Sequence, residues 1–181
     1  MTPNQMPNKA QMPTRRIFIG LGTNIEPRRA YLAQALEHLQ RLADGHQIAQ
    51  SSVIETEPID MSDDSGRFLN QVVSFDCSLP ALELLQKLKE IEKKMGRKSK
   101  GERRARTIDL DLLLCGDEII VSDELMIPHQ SMTERTFVLE PLAQLALELV
   151  HPKTGIRFSD YLNRLTGTLP PLSDRKPVSH D

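Results

Sequence analysis

The sequence predicts an α+β fold, a ferredoxin-like sandwich with helices packed on one face of a mostly antiparallel sheet. Three observations lead there. Short apolar runs alternate with two helix-period segments in the order strand–helix–strand–strand–helix–strand, the split βαβ arrangement. Both helical segments open at a proline and close near a glycine. The chain has 181 residues with 39% hydrophobic and 27% charged, the balance of one ordinary globular domain.

The elements follow in order. Residues 15–21 (RRIFIGL) carry Ile17, Phe18 and Ile19 in a strand-like run, and Gly22, Thr23 and Asn24 break it. Pro27 suits the first turn of a helix, where its missing N–H costs nothing. Leu32, Ala35, Leu36, Leu39 and Leu42 continue at helical spacing until Gly45. Residues 48–56 read as a strand, 60–66 as a loop rich in Asp and Ser, and 68–77 as a strand with Val72, Val73 and Phe75. Pro80 opens a second helix with Leu82, Leu85, Leu88, Ile91 and Met95 on one face and Gly96 as its cap. Glu83–Lys87 and Glu90–Lys94 are expected as pairs on its wet side. Residues 107–114 form a strand, 118–121 a short one, and 137–147 a further helix. Residues 1–14 and 166–181 hold prolines among polar residues and are expected to be disordered tails around a domain at 15–165.

Net charge is −2, so no global field points to nucleic acid or membrane. Trp is absent and aromatics are 4%, too few for a run of base-stacking platforms. Cys77 and Cys115 lie in apolar runs without Cys-x-x-Cys spacing, which predicts inert packing in a reducing compartment. The N-terminal residues carry no apolar signal-peptide core, and no apolar run reaches membrane-spanning length. A cytoplasmic protein is the expectation.

The chemistry concentrates in Arg106-Thr107-Ile108-Asp109-Leu110-Asp111-Leu112-Leu113-Leu114. Alternate side chains of a strand share a face. Asp109 and Asp111 therefore project together, while Ile108, Leu110, Leu112 and Leu114 project the other way. Two adjacent carboxylates in an apolar strand need cations. Mg²⁺ suits them, because it takes one or two carboxylates and completes its shell with water and phosphate oxygens. An edge strand with a solvated polar face is the competing reading.

Just before this strand, eight of the fourteen residues 93–106 are Lys or Arg. Cations beside metal-binding carboxylates suit a polyphosphate, since Arg gives forked bonds to phosphate oxygens. Alone, the run also fits a solvated loop or a nucleic-acid patch. Neither GxxxxGK[ST] nor GxGxxG occurs, which excludes a P-loop and a dinucleotide fingerprint.

Arg106 through Leu113 closely resembles the signature of the 6-hydroxymethyl-7,8-dihydropterin pyrophosphokinase family. Other segments agree in order: Ile19-Gly20-Leu21-Gly22-Thr23-Asn24, Glu55-Thr56-Glu57-Pro58, Phe68-Leu69-Asn70, Ile91-Glu92 with Gly96-Arg97, Ile127-Pro128-His129 and Arg135-Thr136-Phe137. The resemblance implies an ATP-dependent diphosphate transfer to a reduced pterin. Asp109 and Asp111 would bind two Mg²⁺. Arg97 and Arg106 would act with that pair in catalysis, and Arg97, Arg106, His129 and Arg135 would contact phosphates. Glu92 and Leu112 would lie against the nucleotide. Phe68 and Phe137 would sandwich the pterin, with Gly22, Thr56, Pro58, Ile59 and Asn70 completing its pocket.

The family's usual Trp-Gly-Pro-like segment is replaced by Arg103, Arg104 and Ala105, in a loop one residue shorter. Residues 97–106 are expected to close over ATP as a charge-driven lid. Two other readings stand beside the enzyme: a degraded homologue that only binds nucleotide or pterin, and a ferredoxin-like RNA-binding domain. Pterin-dependent AMP release separates the first, and Mg²⁺-independent, salt-sensitive RNA binding would mark the second.

Overall fold

The computed structural model describes residues 13–45, 47–57, 66–96 and 106–169. The two expected tails lie almost wholly outside the described residues, as do Pro58, Ile59, Arg97 and most of the basic loop. In chain order come β1 (Arg15–Thr23), α1 (Arg28–Gln40), β2 (Ala49–Gln50), β3 (Ile54–Thr56), β4 (Phe68–Cys77), α2 (Ala81–Lys94) and β5 (Asp109–Cys115). Then follow β6 (Ile120–Val121), β7 (Met126–Ile127), a 3₁₀ turn at Met132–Glu134, α3 (Thr136–Leu145) and α4 (Phe158–Leu165). The main sheet runs β2-β4-β1-β5, with β3 also on β4, and all these pairs are antiparallel. This is the expected ferredoxin-like order, with β1 central.

Alternation along β1 explains the layers. Ile17, Ile19 and Leu21 are buried in a cluster with Leu32, Ala35 and Leu39 of α1 and Leu84, Leu88 and Ile91 of α2. Phe18 points the other way, into a second cluster with Val138, Leu139 and Leu142 of α3 and Phe158 and Tyr161 of α4. The first two helices thus share one face, as expected. The helix predicted at 137–147 and the unforeseen α4 cover one end of the opposite face. The rest of that face stays open.

Several boundaries differ from expectation for local reasons. The first strand does not stop at Leu21; Gly22 and Thr23 remain in the ladder opposite Asn70 and Leu69. The strand expected at 48–56 is split, because Ser51 leaves the regular pattern. Its Oγ accepts the Val72 N–H at 3.0 Å while its own N–H donates to Val72 O at 2.9 Å. On α2 the buried row is Ala81, Leu84, Leu88 and Ile91, and Leu82 is 44% exposed. Leu82 lies about 200° around the helix from Leu84, so one of the two must face water. Lys87 pairs with Glu90 at 3.1 Å on the wet side. Gly96 has φ +88 just past the Met95 cap, a conformation that favours glycine.

β5 carries a bulge. Ile19 faces Leu112 and Phe18 faces Leu114, so Leu113 is the extra residue. Alternation resets there. Leu114 therefore joins the α3–α4 side rather than the side of Ile108, Leu110 and Leu112. No helix among the described residues is long and apolar enough to cross a membrane.

Candidate active site

The open face contains a trough made by missing side chains. On β1 the residues that follow Phe18 on that face are Gly20 and Gly22. Gly22 faces Asn70 of β4 and Asp109 of β5. Gly20 faces Val72 and Asp111. Two rows therefore cross three strands, Asn70–Gly22–Asp109 and Val72–Gly20–Asp111, with nothing but backbone at their centre. A Cβ on Gly22 would lie 3.5 Å from Asn70 Oδ1 and 3.9 Å from both Asp109 Cβ and Phe68 Cδ1. This trough opens into a pocket of about 350 Å³, a size suited to a small molecule.

At one end the lining is aromatic and amide. Phe68 opens β4 and Phe137 lies in the first turn of α3; both line the pocket and both are half-buried. Asn70 is buried, and its Nδ2 donates to Thr56 Oγ1 at 2.7 Å. That bond fixes the amide and leaves Oδ1 toward the trough as an acceptor.

The other end is ionic. Asp109 and Asp111 both line the pocket, as strand alternation requires. The Arg106 guanidinium is bonded to Asp109 Oδ2. Asp111 keeps 42% of its side chain open to the pocket, and His129 Nε2 stands 4.0 Å from its Oδ1. Burial, then the adjacent Asp109 carboxylate, pushes the Asp111 carboxyl above its usual range; His129, Arg135 and Arg106 oppose the shift. Arg135 lines the same pocket, with its guanidinium carbon 5.7 Å from the Phe137 ring centre.

Two side chains that the resemblance places against the nucleotide are packed away from the pocket lining. Leu112 is in the core under α1 and α2. Glu92 is 5% exposed on α2, and its Oε1 accepts the Leu110 N–H at 2.8 Å. It thereby fixes the backbone between the two aspartates. Pro58, Ile59 and Arg97 lie outside the described residues.

Gly20, Glu57 and Asn24 lie in the resembling segments but carry no individual site role in the sequence. Gly20 shares the face of Gly22, two positions back on the same strand, which alternation makes legible. Glu57 lines the pocket and adjoins Thr56. Asn24 breaks the first strand and ends the resembling Ile19–Asn24 segment, and the sequence assigns it no site role of its own.

The donor set suits a hard divalent cation: two carboxylates, pocket-facing, with arginines beside them. Among the described residues no group of three or more His, Cys, Asp or Glu gathers as a metal site. Mg²⁺ held here would draw its remaining ligands from water and phosphate.

Fold and pocket define an α+β domain with a small-molecule-sized pocket over β4, β1 and β5 of an antiparallel sheet. Residues 18–147 match the family described as 7,8-dihydro-6-hydroxymethylpterin-pyrophosphokinase, and the chain belongs to that family. The 2-amino-4-hydroxy-6-hydroxymethyldihydropteridine pyrophosphokinase of Bacillus subtilis is 39% identical over 76% of this chain and 82% of its own. The folic acid synthesis protein fol1 of Pneumocystis carinii is 32% identical over 97% of this chain, which spans only 23% of that longer protein. Among solved structures, Plasmodium falciparum HPPK-DHPS A437G superposes with a TM-score of 0.69 at 17% identity, over 87% of this chain and 46% of the other. At that identity the likeness concerns the fold.

Proposed function

We propose that this chain transfers diphosphate from ATP to the hydroxymethyl group of 6-hydroxymethyl-7,8-dihydropterin, in folate biosynthesis. The observation that carries this reading is one pocket with two chemistries: Asp109, Asp111, Arg106 and Arg135 at one end, Phe68, Asn70 and Phe137 at the other. The first set matches a polyphosphate and the second a flat heterocycle.

The hydroxymethyl oxygen attacks the β-phosphorus of ATP in line, losing its proton. The bond from that phosphorus to the α–β bridging oxygen breaks, and AMP leaves. Phe68 and Phe137 stack on the pterin, and Asn70 Oδ1 accepts a ring N–H. Thr56 keeps the Asn70 amide in that orientation. The backbone near Pro58 and Ile59 completes the pterin contacts in this reading. Arg106 and Arg135 grip phosphate oxygens with forked bonds, joined by Arg97 and His129. Asp109 and Asp111 would hold two Mg²⁺ ions, which would supply neutralisation of phosphate charge. Positioning and charge stabilisation supply the catalysis, as in other phosphoryl transfers.

ATP and the pterin are the partners this reading needs; it invokes neither nucleic acid nor membrane. It assigns the cytoplasm as the compartment, where two free buried cysteines are at home. Incubation with ATP, Mg²⁺ and the reduced hydroxymethylpterin tests it. AMP should appear only with the pterin present, and EDTA should stop the reaction. ADP with a monophosphorylated pterin would overturn the assignment.

A further inference from the structure

We infer that Asn24 is a positioning residue of this reaction, holding Arg106 at the phosphate end and Gly66 at the pterin end through one side chain. The inference rests on the pyrophosphokinase reading. Asn24 immediately follows β1 and is 7% exposed. Its backbone N–H donates to Arg106 O at 3.2 Å, and its Oδ1 accepts the Arg106 N–H at 2.7 Å. Both backbone polar groups of Arg106 are thus bound by the same residue. Thr23 Oγ1 adds a longer contact to Arg106 O at 3.5 Å. The peptide planes on either side of the Arg106 α-carbon are fixed, and from there the guanidinium reaches Asp109.

The remaining amide group works in the opposite direction. Asn24 Nδ2 donates to Gly66 O at 3.4 Å. Gly66 approaches closely enough that a Cβ there would meet Asn24 O at 3.4 Å. Two residues beyond Gly66 is Phe68, on the pocket wall. Asn24 thus joins the residues that lead into β4 and into β5. Few side chains can replace it. Asp has acceptors but no donor, Ser offers a single oxygen, and Gln is a methylene longer. Asn24 touches neither Asp109 nor Asp111 in the contacts that hold it, so its effect on the reaction runs through Arg106 and Gly66.

The two arms separate by substitution. Asn24→Ala removes both. Asn24→Asp keeps the acceptor for the Arg106 N–H and replaces the donor to Gly66 O with an oxygen. Steady-state kinetics in both substrates, with melting temperatures, provide the readout. Asn24→Ala should lower kcat by roughly 10- to 100-fold, the effect of an ångström-scale misplacement, and raise the KM for the pterin. Asn24→Asp should recover most of kcat while the pterin KM stays raised. A purely structural role would lower the melting temperature without this split. Wild-type kcat and KM in Asn24→Ala, or equal kcat losses in both variants, would overturn the inference. Should Asn24→Ala fail to fold, Asn24→Asp decides alone, and an unchanged pterin KM there overturns it. Wild-type protein that forms no AMP would overturn the pyrophosphokinase reading and this inference with it.

Discussion

His129 Nε2 stands 4.0 Å from Asp111 Oδ1, and the β5 bulge puts it there. Leu113, the residue without a partner on β1, offers its carbonyl to the His129 N–H at 2.9 Å. His129 Nδ1 accepts the Ser131 N–H at 3.3 Å, so a neutral ring carries its proton on Nε2, toward the carboxylate. Asp109 instead has Arg106 bonded to it. Two aspartates on one strand face therefore stand in different electrostatic settings.

That difference predicts opposite stability effects without metal. A carboxyl whose folded pKa is raised holds its proton more tightly folded than unfolded. Ionised Asp111 therefore costs the fold stability above the usual carboxylate range, and nothing well below it. Asp111→Asn in EDTA should melt higher than wild type at pH 8, with the gain shrinking as pH falls toward the ordinary value of 3.8. Asp109→Asn should melt no higher, because it deprives Arg106 of its partner. Both should lose turnover, by about 10²–10³ if they neutralise charge in the transition state. Full turnover in either variant would remove its metal role, and a lower melting point for Asp111→Asn at pH 8 would refute the electrostatic argument.

The cysteines give a second pH-dependent expectation. Burial pushes the Cys115 thiol up to about 12, with Glu118 adding to the shift, and burial likewise raises Cys77. Since the thiolate is the nucleophile, neither should react with iodoacetamide in the folded protein at pH 8 to 9. Both should label fully in urea. The neutral thiol is favoured more by the fold than by the open chain, so this contribution to stability fades as pH rises from 9.0 toward 12. Rapid native labelling at pH 8 would show that these sites open far more readily than their burial implies.

Much of this arrangement was legible from alternation and caps. Asp109 and Asp111 had to share a face once residues 107–114 were read as a strand, and Pro80 and Gly96 bracket α2 as expected. What escaped notice depended on nonlocal geometry. The bulge at Leu113 turns Leu114 to the other side, and only the pairing with Phe18 and Ile19 reveals it. Leu82 and Leu84 are equally apolar, and their ranking depends on how α2 rolls on the sheet. Asn24 resembles any turn residue until Arg106 and Gly66 arrive from 82 and 42 residues away. The recesses at Gly20 and Gly22 have meaning only between β4 and β5.

The aromatic end can be tested by affinity. Phe68→Ala and Phe137→Ala should each weaken pterin binding by about 1–3 kcal/mol, the worth of stacking on a heterocycle. ATP binding should change little. Both rings are half-buried on the pocket wall, so truncation removes a stacking surface more than core volume. Titration calorimetry for each ligand distinguishes the cases. Equal losses for pterin and ATP would indicate collapse of the wall. For Phe137, which packs against the α3–α4 cluster, Phe137→Leu retains apolar bulk without the ring and serves as the control.

Gly22→Ala isolates the trough itself. Gly22 has an ordinary negative-φ strand conformation, so alanine brings no left-handed strain. The nearest atoms to a new Cβ would be Asn70 Oδ1 at 3.5 Å and Asp109 Cβ and Phe68 Cδ1 at 3.9 Å, all ordinary contacts. The empty protein should therefore accept the methyl with a stability change within about 0.5 kcal/mol. The ligand should not. A flat ring seated over the Asn70–Gly22–Asp109 row would meet a methyl where it now meets backbone. It would be lifted away from the Asn70 Oδ1 acceptor and from its ring contacts. Pterin affinity should fall by about tenfold or more, since losing a hydrogen bond to a buried amide costs on the order of 1–3 kcal/mol. ATP affinity should stay close to wild type, because the three atoms nearest the new methyl belong to Asn70, Asp109 and Phe68 and none to Arg106 or Arg135. Denaturant melts and pterin titration on the same preparation make the comparison. A stable Gly22→Ala protein with unchanged pterin affinity would show that the heterocycle binds elsewhere in the pocket.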